Sequence, residues 1–347
     1  MCNIAGYNGN RAAAPILIDM LRREAIYDGG FSTGIVTVHE GKFYWRKVIG
    51  TVDDLLEQTD ALSLPGTIGL AHSRPYNDHL FNAHPHISLD GQLALVENGT
   101  EPKNDISPRR DEIANMLYEQ GYDFLSKQSP LKKNFPVLKT GEAISNCELI
   151  VNLTADYMKK GYSLAMAHAK ASGDLYLESV SAILCKDISD YISVCRISRP
   201  LELLVSEGES YIASTRFAFP EDVAGETVSL PVLRACKINK GGYELTQCKV
   251  ESDGICEITP LTYIKAYNYA EKMLAGGKEN PCIYDDLELA FKDMPELWDS
   301  EKRYSQYAKL AYDMLWQFHK EGRLQSFIAP QTLGCGTRDV AYMYLNK

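Results

Sequence analysis

Cys2-Asn3-Ile4-Ala5-Gly6-Tyr7 sets a thiol immediately before a short run of apolar and small residues. The run reads as a buried strand that stops at the turn residues Asn8-Gly9-Asn10. Removal of the initiator methionine, which a small second residue permits, would leave Cys2 with both a thiol and a free α-amine. An α-amine titrates near ~7.7–8.0 and can accept a proton at neutral pH. One residue would then supply both nucleophile and general base. Taken alone, a cysteine at position 2 is more simply an accident of sequence. Its weight comes from what surrounds it.

Working outward, residues 12–26 carry Ile16, Ile18, Leu21 and Ala25 at helical spacing, and Tyr27-Asp28-Gly29-Gly30 breaks the segment. Residues 33–39 and 42–48 read as a hairpin across Glu40-Gly41, followed by a short helix over 52–59. Residues 66–72 and 92–98 read as strands. The polar loop between them, 73–90, is dense in His, Asn and Pro, and a loop of that length is rarely a mere connection. Amphipathic helices are expected over 108–122 and 147–160, with a Lys/Pro-rich loop over 127–141. Short strands follow over 180–184, 192–197, 201–205 and 210–214. Beyond residue 255 the character turns helical (261–274, 285–292 and 301–319), closing in a glycine-containing tail. The expected division is 2–255 and 256–347. Periodicity by itself gives a mixture of α and β; the grouping of strands between helices suggests two packed sheets covered by helices on both sides.

The 347 residues are 45% hydrophobic and 24% charged, an ordinary globular composition. No run of 18 or more apolar residues exists, so no membrane span is expected. The N-terminus lacks a basic region followed by an apolar run, so no secretory signal is expected and a cytoplasmic location is. The net charge of −10 argues against nucleic-acid or anionic-membrane partners. Nine cysteines, with no C-x-x-C pair, read as reduced thiols.

Three further stretches carry chemistry. They are Ala71-His72-Ser73-Arg74 after a strand, Asn82-Ala83-His84-Pro85-His86 in the polar loop, and Val96-Glu97-Asn98-Gly99-Thr100. With Cys2…Gly6-Tyr7 and Ser32-Thr33-Gly34 in this order, residues 2 to about 250 resemble the class II glutamine amidotransferases. These are N-terminal nucleophile hydrolases, and within them the chain looks most like the glutaminase half of the isomerizing glutamine–fructose-6-phosphate aminotransferases. The resemblance implies an α+β fold, a four-layer α-β-β-α sandwich, here with a mostly helical C-terminal extension. It implies that Cys2 attacks the side-chain amide of glutamine, giving a thioester and ammonia. Asn98 and Gly99 would form the oxyanion hole, and Arg74 would clamp the substrate α-carboxylate, a task that suits a bidentate guanidinium. Asn98-Gly99 is also the commonest hairpin signal, so a turn is expected there as well. His84-Pro85-His86 is not expected to hold a metal, because no cysteine or carboxylate lies at ligand spacing and two histidines make a poor site. No cofactor and no metal are expected.

The sequence departs from the family in three places. Where the family has Trp-Ala-Thr-His-Gly after the arginine, this chain has Pro75-Tyr76-Asn77-Asp78-His79. Asp28 stands where the family has an arginine. Asn146 aligns with the aspartate that holds the substrate α-ammonium; a neutral amide there weakens binding by roughly tenfold. Asn77 and Asp78 are therefore candidate substrate contacts, with Asp78 expected to compensate for Asn146. Residues 256–347 show no Ser/Thr-rich phosphate loop, so the ammonia would pass to a separate partner protein, a sugar isomerase or ligase, or the reaction would stop at hydrolysis. Two other readings stay open: an amidase acting on a γ-glutamyl or other amide, and a catalytically silent binding or regulatory module. A homo-oligomer is also left open.

Overall fold

The computed structural model describes residues 2–75, 79–100, 109–129, 135–247, 254–299, 301–334 and 336–346. The strands of the first half are β1 (Asn3–Asn8), β2 (Ser32–His39), β3 (Lys42–Ile49), β4 (Ile68–Arg74), β5 (His86–Ile87) and β6 (Leu93–Thr100). Then come β7 (Glu178–Cys185), β8 (Ile188–Arg196), β9 (Glu202–Ser206), β10 (Glu209–Ala213), β11 (Glu226–Ser229), β12 (Arg234–Asn239) and β13 (Gly242–Gln247). A last pair is β14 (Leu324–Leu333) and β15 (Gly336–Leu345). The helices are α1 (Ala13–Ala25), α2 (Val52–Gln58), α3 (Arg109–Glu119), α4 (Asn146–Lys159), α5 (Leu164–Leu175), α6 (Pro260–Leu274), α7 (Tyr284–Asp293) and α8 (Tyr307–Lys320).

Alternation along the strands explains the layering. In β1, Ile4 faces inward while Ala5 and Tyr7 face outward onto Leu17, Ile18 and Leu21 of α1. In β6, Ala94 and Val96 face inward while Leu93 and Leu95 pack with Leu149, Ile150 and Leu153 of α4. The inward sets meet in one core, Ile4, Val36 and Leu70 against Val96, Val180 and Ile192. The result is helix, sheet, sheet, helix, as expected. The first sheet runs β11-β9-β10-β1-β4-β2-β3 and the second β13-β12-β8-β7-β6-β5. The strand that begins at the candidate nucleophile is therefore central.

Residues 256–347 build a further core from α6, α7, α8 and the β14–β15 hairpin, including Leu287, Phe291, Leu315 and Met343. Tyr27 from the sandwich joins it, and the Ala341 N–H donates to the Ile26 carbonyl at 2.8 Å. No described helix is long and apolar enough to cross a membrane.

Several elements differ from the sequence reading. Asn98-Gly99 is not a turn: both residues lie inside β6, paired with Val180 and Ser179 of β7. The glycine-containing tail is a long hairpin, whose signal was masked because Pro330 lies within β14, a position tolerated only at a free edge. Helix α5 escaped notice because it is Ala-rich and buried on nearly every side, so it shows no apolar stripe. The edge strands β11 and β13 are short and largely polar, and β12, paired between β13 and β8, is only six residues long. The helix expected from 301 begins at Tyr307.

Candidate active site

Register fixes the nucleophile. Asn3 pairs with Ser73 in the β1–β4 ladder, so the residue before β1 comes beside the end of β4, where Arg74 sits. From there the Cys2 backbone nitrogen, the α-amine once Met1 is removed, reaches across to the second sheet and donates to Asn98 Oδ1 at 3.3 Å. Asn98 points inward, as the alternation of Ala94 and Val96 requires, and is 3% exposed. With Oδ1 engaged, the other end of its amide, Nδ2, is a buried donor with no partner among the described residues. Gly99 follows. A Cβ there would lie 1.8 Å from Glu97 Oε1 and 2.8 Å from Ser179 Cβ, so the close approach of these chains requires glycine. Burial pushes the Cys2 thiol above its ordinary pKa, Arg74 pulls it down and Glu97 pushes it up.

Cys2 and Gly99 form a wall common to two cavities. The smaller, about 100 Å³, is also lined by Arg74, Asn82, His84, Glu97, Asn146 and Cys147. Arg74 is oriented by donating to the Asn82 carbonyl at 2.7 Å. Asn146 opens α4, whose first turn is capped by the Ser145 hydroxyl accepting from the Cys147 N–H at 3.2 Å. The structure thus brings Cys2, Arg74, Asn98, Gly99 and Asn146 together. Asn77 and Asp78 lie outside the described residues.

The larger cavity, about 460 Å³, is lined by Cys2, Asn98 and Gly99 on one side and by Asp285, Glu288, Lys292, Tyr307 and Arg338 of the extension on the other. Arg338 pairs with Asp28 at 3.2 Å and Asp285 at 3.0 Å, while Arg199 pairs with Glu288 at 3.2 Å. These cross-links between sandwich and extension account for Asp28: it receives a guanidinium from β15.

The sequence reading missed Glu97 and Cys147, which fold into the small cavity. Cys147 donates its S–H to Glu97 Oε2 at 3.0 Å. Burial first, and the Glu97 charge next, raise its pKa well above the ordinary thiol value, which keeps that proton in place. The premise that no cysteine or carboxylate lies near His84-Pro85-His86 is therefore corrected: ligand atoms of His84, His86 and Cys147 lie within 4.8 Å of one another. The hydrogen bonds nevertheless disfavour a metal. His84 Nδ1 accepts from the Glu97 N–H at 3.2 Å, so in the neutral ring the proton is on Nε2, which faces Cys147 Sγ at 3.6 Å. That nitrogen then has no lone pair for an ion, and a metal-bound histidine ordinarily donates, rather than accepts, at its other nitrogen. Burial lowers the pKa of His84 and His86 far below the ordinary value and that of His72 to about 3, so all three are neutral. His72 and His84 stack with centroids 3.8 Å apart, and His86 meets His84 edge-on at 4.8 Å.

No family model matches the chain. It is 31% identical over 220 residues, 62% of this chain, to the isomerizing glutamine–fructose-6-phosphate aminotransferase of Caldanaerobacter subterraneus. It is 28% identical over 222 residues to the protein of the same name from Pyrococcus horikoshii. The chain covers 31% of the first and 33% of the second, so it spans about a third of the length of these curated relatives. Among solved structures it resembles the glutamine phosphoribosylpyrophosphate amidotransferase of B. subtilis, with a TM-score of 0.58 at 15% identity, covering 94% of this chain and 66% of that one. A second likeness, TM-score 0.57 at 14% identity, is to an allosteric regulatory enzyme of purine biosynthesis, covering 98% of this chain and 71% of that one. The N-terminal region of this chain is thus homologous to isomerizing glutamine–fructose-6-phosphate aminotransferases, and the chain shares its fold with the solved amidotransferase it resembles.

Proposed function

We propose that this chain is an amidohydrolase that cleaves the side-chain amide of glutamine through a thioester on Cys2. The carrying observation is the 3.3 Å contact from the Cys2 nitrogen to Asn98 Oδ1, which ties the candidate base to the nucleophile's own residue and turns Asn98 Nδ2 into a waiting donor. In the first step Cys2 Sγ bonds to the amide carbon and its proton passes to the α-amine. The carbonyl oxygen becomes an oxyanion held by Asn98 Nδ2 and the Gly99 N–H. The C–N bond then breaks, the α-amine returns the proton and ammonia leaves. Water enters by the same base and releases glutamate. Arg74 holds the substrate α-carboxylate. The division at residue 255, and an ammonia-accepting partner protein, belong to the same proposal.

The larger cavity favours a second reading, in which the leaving group is an organic amine on a γ-glutamyl amide. Ammonia needs almost none of about 460 Å³, which is in the range of small-molecule sites. One experiment separates the readings: amide hydrolysis by wild type and Cys2→Ser, with glutamine and with γ-glutamyl-methylamide as substrates. The first reading expects ammonia from glutamine in wild type alone. Preference for the methylamide by kcat/KM favours the second. Wild-type activity no greater than that of Cys2→Ser on both substrates sinks both readings and leaves a silent module.

A further inference from the structure

The larger cavity sets Cys2, Asn98 and Gly99 opposite a wall built by the extension, and the charged side chains of that wall differ in what already holds them. Both acids of α7 that line it face arginines. Asp285 meets Arg338 at 3.0 Å, and Glu288 meets Arg199 at 3.2 Å. Lys292 follows Glu288 by four residues, the spacing at which a glutamate and a lysine ordinarily pair on a helix. Here Glu288 turns to the sandwich instead. The exposed Lys292 ammonium lies 5.7 Å from the centre of the Tyr307 ring. That contact leaves its three N–H donors with no carboxylate partner among the described residues. Leu289 and Leu333 add apolar surface to the same cavity. A group that departs from a carbonyl held at Asn98 and Gly99 thus enters a space with apolar walls and a cation. An amino acid linked through its nitrogen supplies the complement to both: an apolar body and a carboxylate.

We propose that the leaving amine of the substrate carries a carboxylate that Lys292 binds, so that the substrate class is γ-glutamyl amides of apolar amino acids. This rests on the second reading above, in which an organic amine leaves. Cys2 Sγ bonds to the γ-carbonyl carbon and the C–N bond breaks. The leaving nitrogen takes the proton that the α-amine received from the thiol, the amino acid departs, and water then releases glutamate from the thioester.

The test is calorimetric binding to the Cys2→Ser protein, which needs no turnover, with hydrolysis by the Cys2 protein alongside. The ligands are γ-glutamyl-leucine and γ-glutamyl-leucinamide, which match in shape but differ in the terminal charge. The leucine compound is expected to bind more tightly by roughly 3- to 10-fold, the range for a charge contact that solvent reaches. Lys292→Met should remove that ratio, Lys292→Arg keep it and Lys292→Glu reverse it. A variant with a folding defect would weaken both ligands together and leave the ratio as it was. Equal binding of the two ligands by the parent protein overturns the proposal, as does failure to bind either, or a ratio that survives Lys292→Met. Preference in binding with no turnover of either ligand leaves the Lys292 assignment standing and sinks the amide-cleaving reading. Turnover of both at equal kcat/KM, with equal binding, sinks the assignment and keeps that reading.

Discussion

At the scale of single residues, the site is a set of atoms whose orientation is forced by neighbours. Asn98 shows this best: because Oδ1 takes the Cys2 N–H, the amide has one orientation, and Nδ2 is the donor left over. Asn98→Ala is therefore expected to lower kcat for glutamine on the order of 100–1000-fold with little change in KM, as loss of an oxyanion donor does. Steady-state ammonia release measures it; a loss confined to KM would assign Asn98 to ground-state binding. Cys2, Arg74, Asn98 and Gly99 were named from sequence through the family resemblance that the surrounding motifs carry, and the fold places them around shared cavities. Glu97 and Cys147 were not, since they stand 50 positions apart and meet only when α4 docks on β6. Glu97 was quoted inside a motif, but nothing local told which side of the strand its carboxyl would leave.

At the scale of elements, the loop after β4 and the start of β6 are held by neutral, buried histidines. His72 donates from Nε2 to the Glu97 carbonyl at 2.9 Å. His168, on α5, lies between the hydroxyls of Ser181 and Ser193, with its pKa lowered by burial to about 3. Folding thus depresses the pKa of His72, His84, His86 and His168, and the unfolded chain binds more protons than the native one below the ordinary value of about 6.5. Stability should be full above that pH and fall as pH drops from about 6.5 toward 3, by about 1.4 kcal/mol per pH unit for each histidine. Urea unfolding at pH 7.5, 6.0 and 5.0 checks this; a midpoint unchanged over that span contradicts the buried neutral assignment. The layered core was readable in advance because β1, β2, β4 and β6 alternate or run apolar. The hairpin at the C-terminus and helix α5 were not, since Pro330 breaks one pattern and burial on every side erases the other.

For the whole molecule, the extension completes the second wall of the chamber in front of Cys2, and buried ion pairs fasten it. Asp28 is 1% exposed and Arg338 2%. Removing one partner strands a buried charge, so Arg338→Ala is expected to destabilise the protein by about 3–5 kcal/mol. Adding Asp28→Asn should recover part of that loss, as denaturant midpoints would show; a loss under about 1 kcal/mol would mean the contact is wet and marginal. The departure at Asp28 looked in the sequence like damage to a motif. In the fold it is half of a new joint, and only the position of β15 reveals it.

The proposed chemistry needs a freed Cys2, its amine against Asn98 Oδ1 and its thiol available. Its most direct test is intact mass and peptide mapping after exposure to 6-diazo-5-oxo-norleucine, a glutamine-like alkylator. The expected result is a chain that begins at Cys2 and carries one adduct on that residue. A chain that retains Met1, or a processed chain with Cys2 unlabelled, contradicts it.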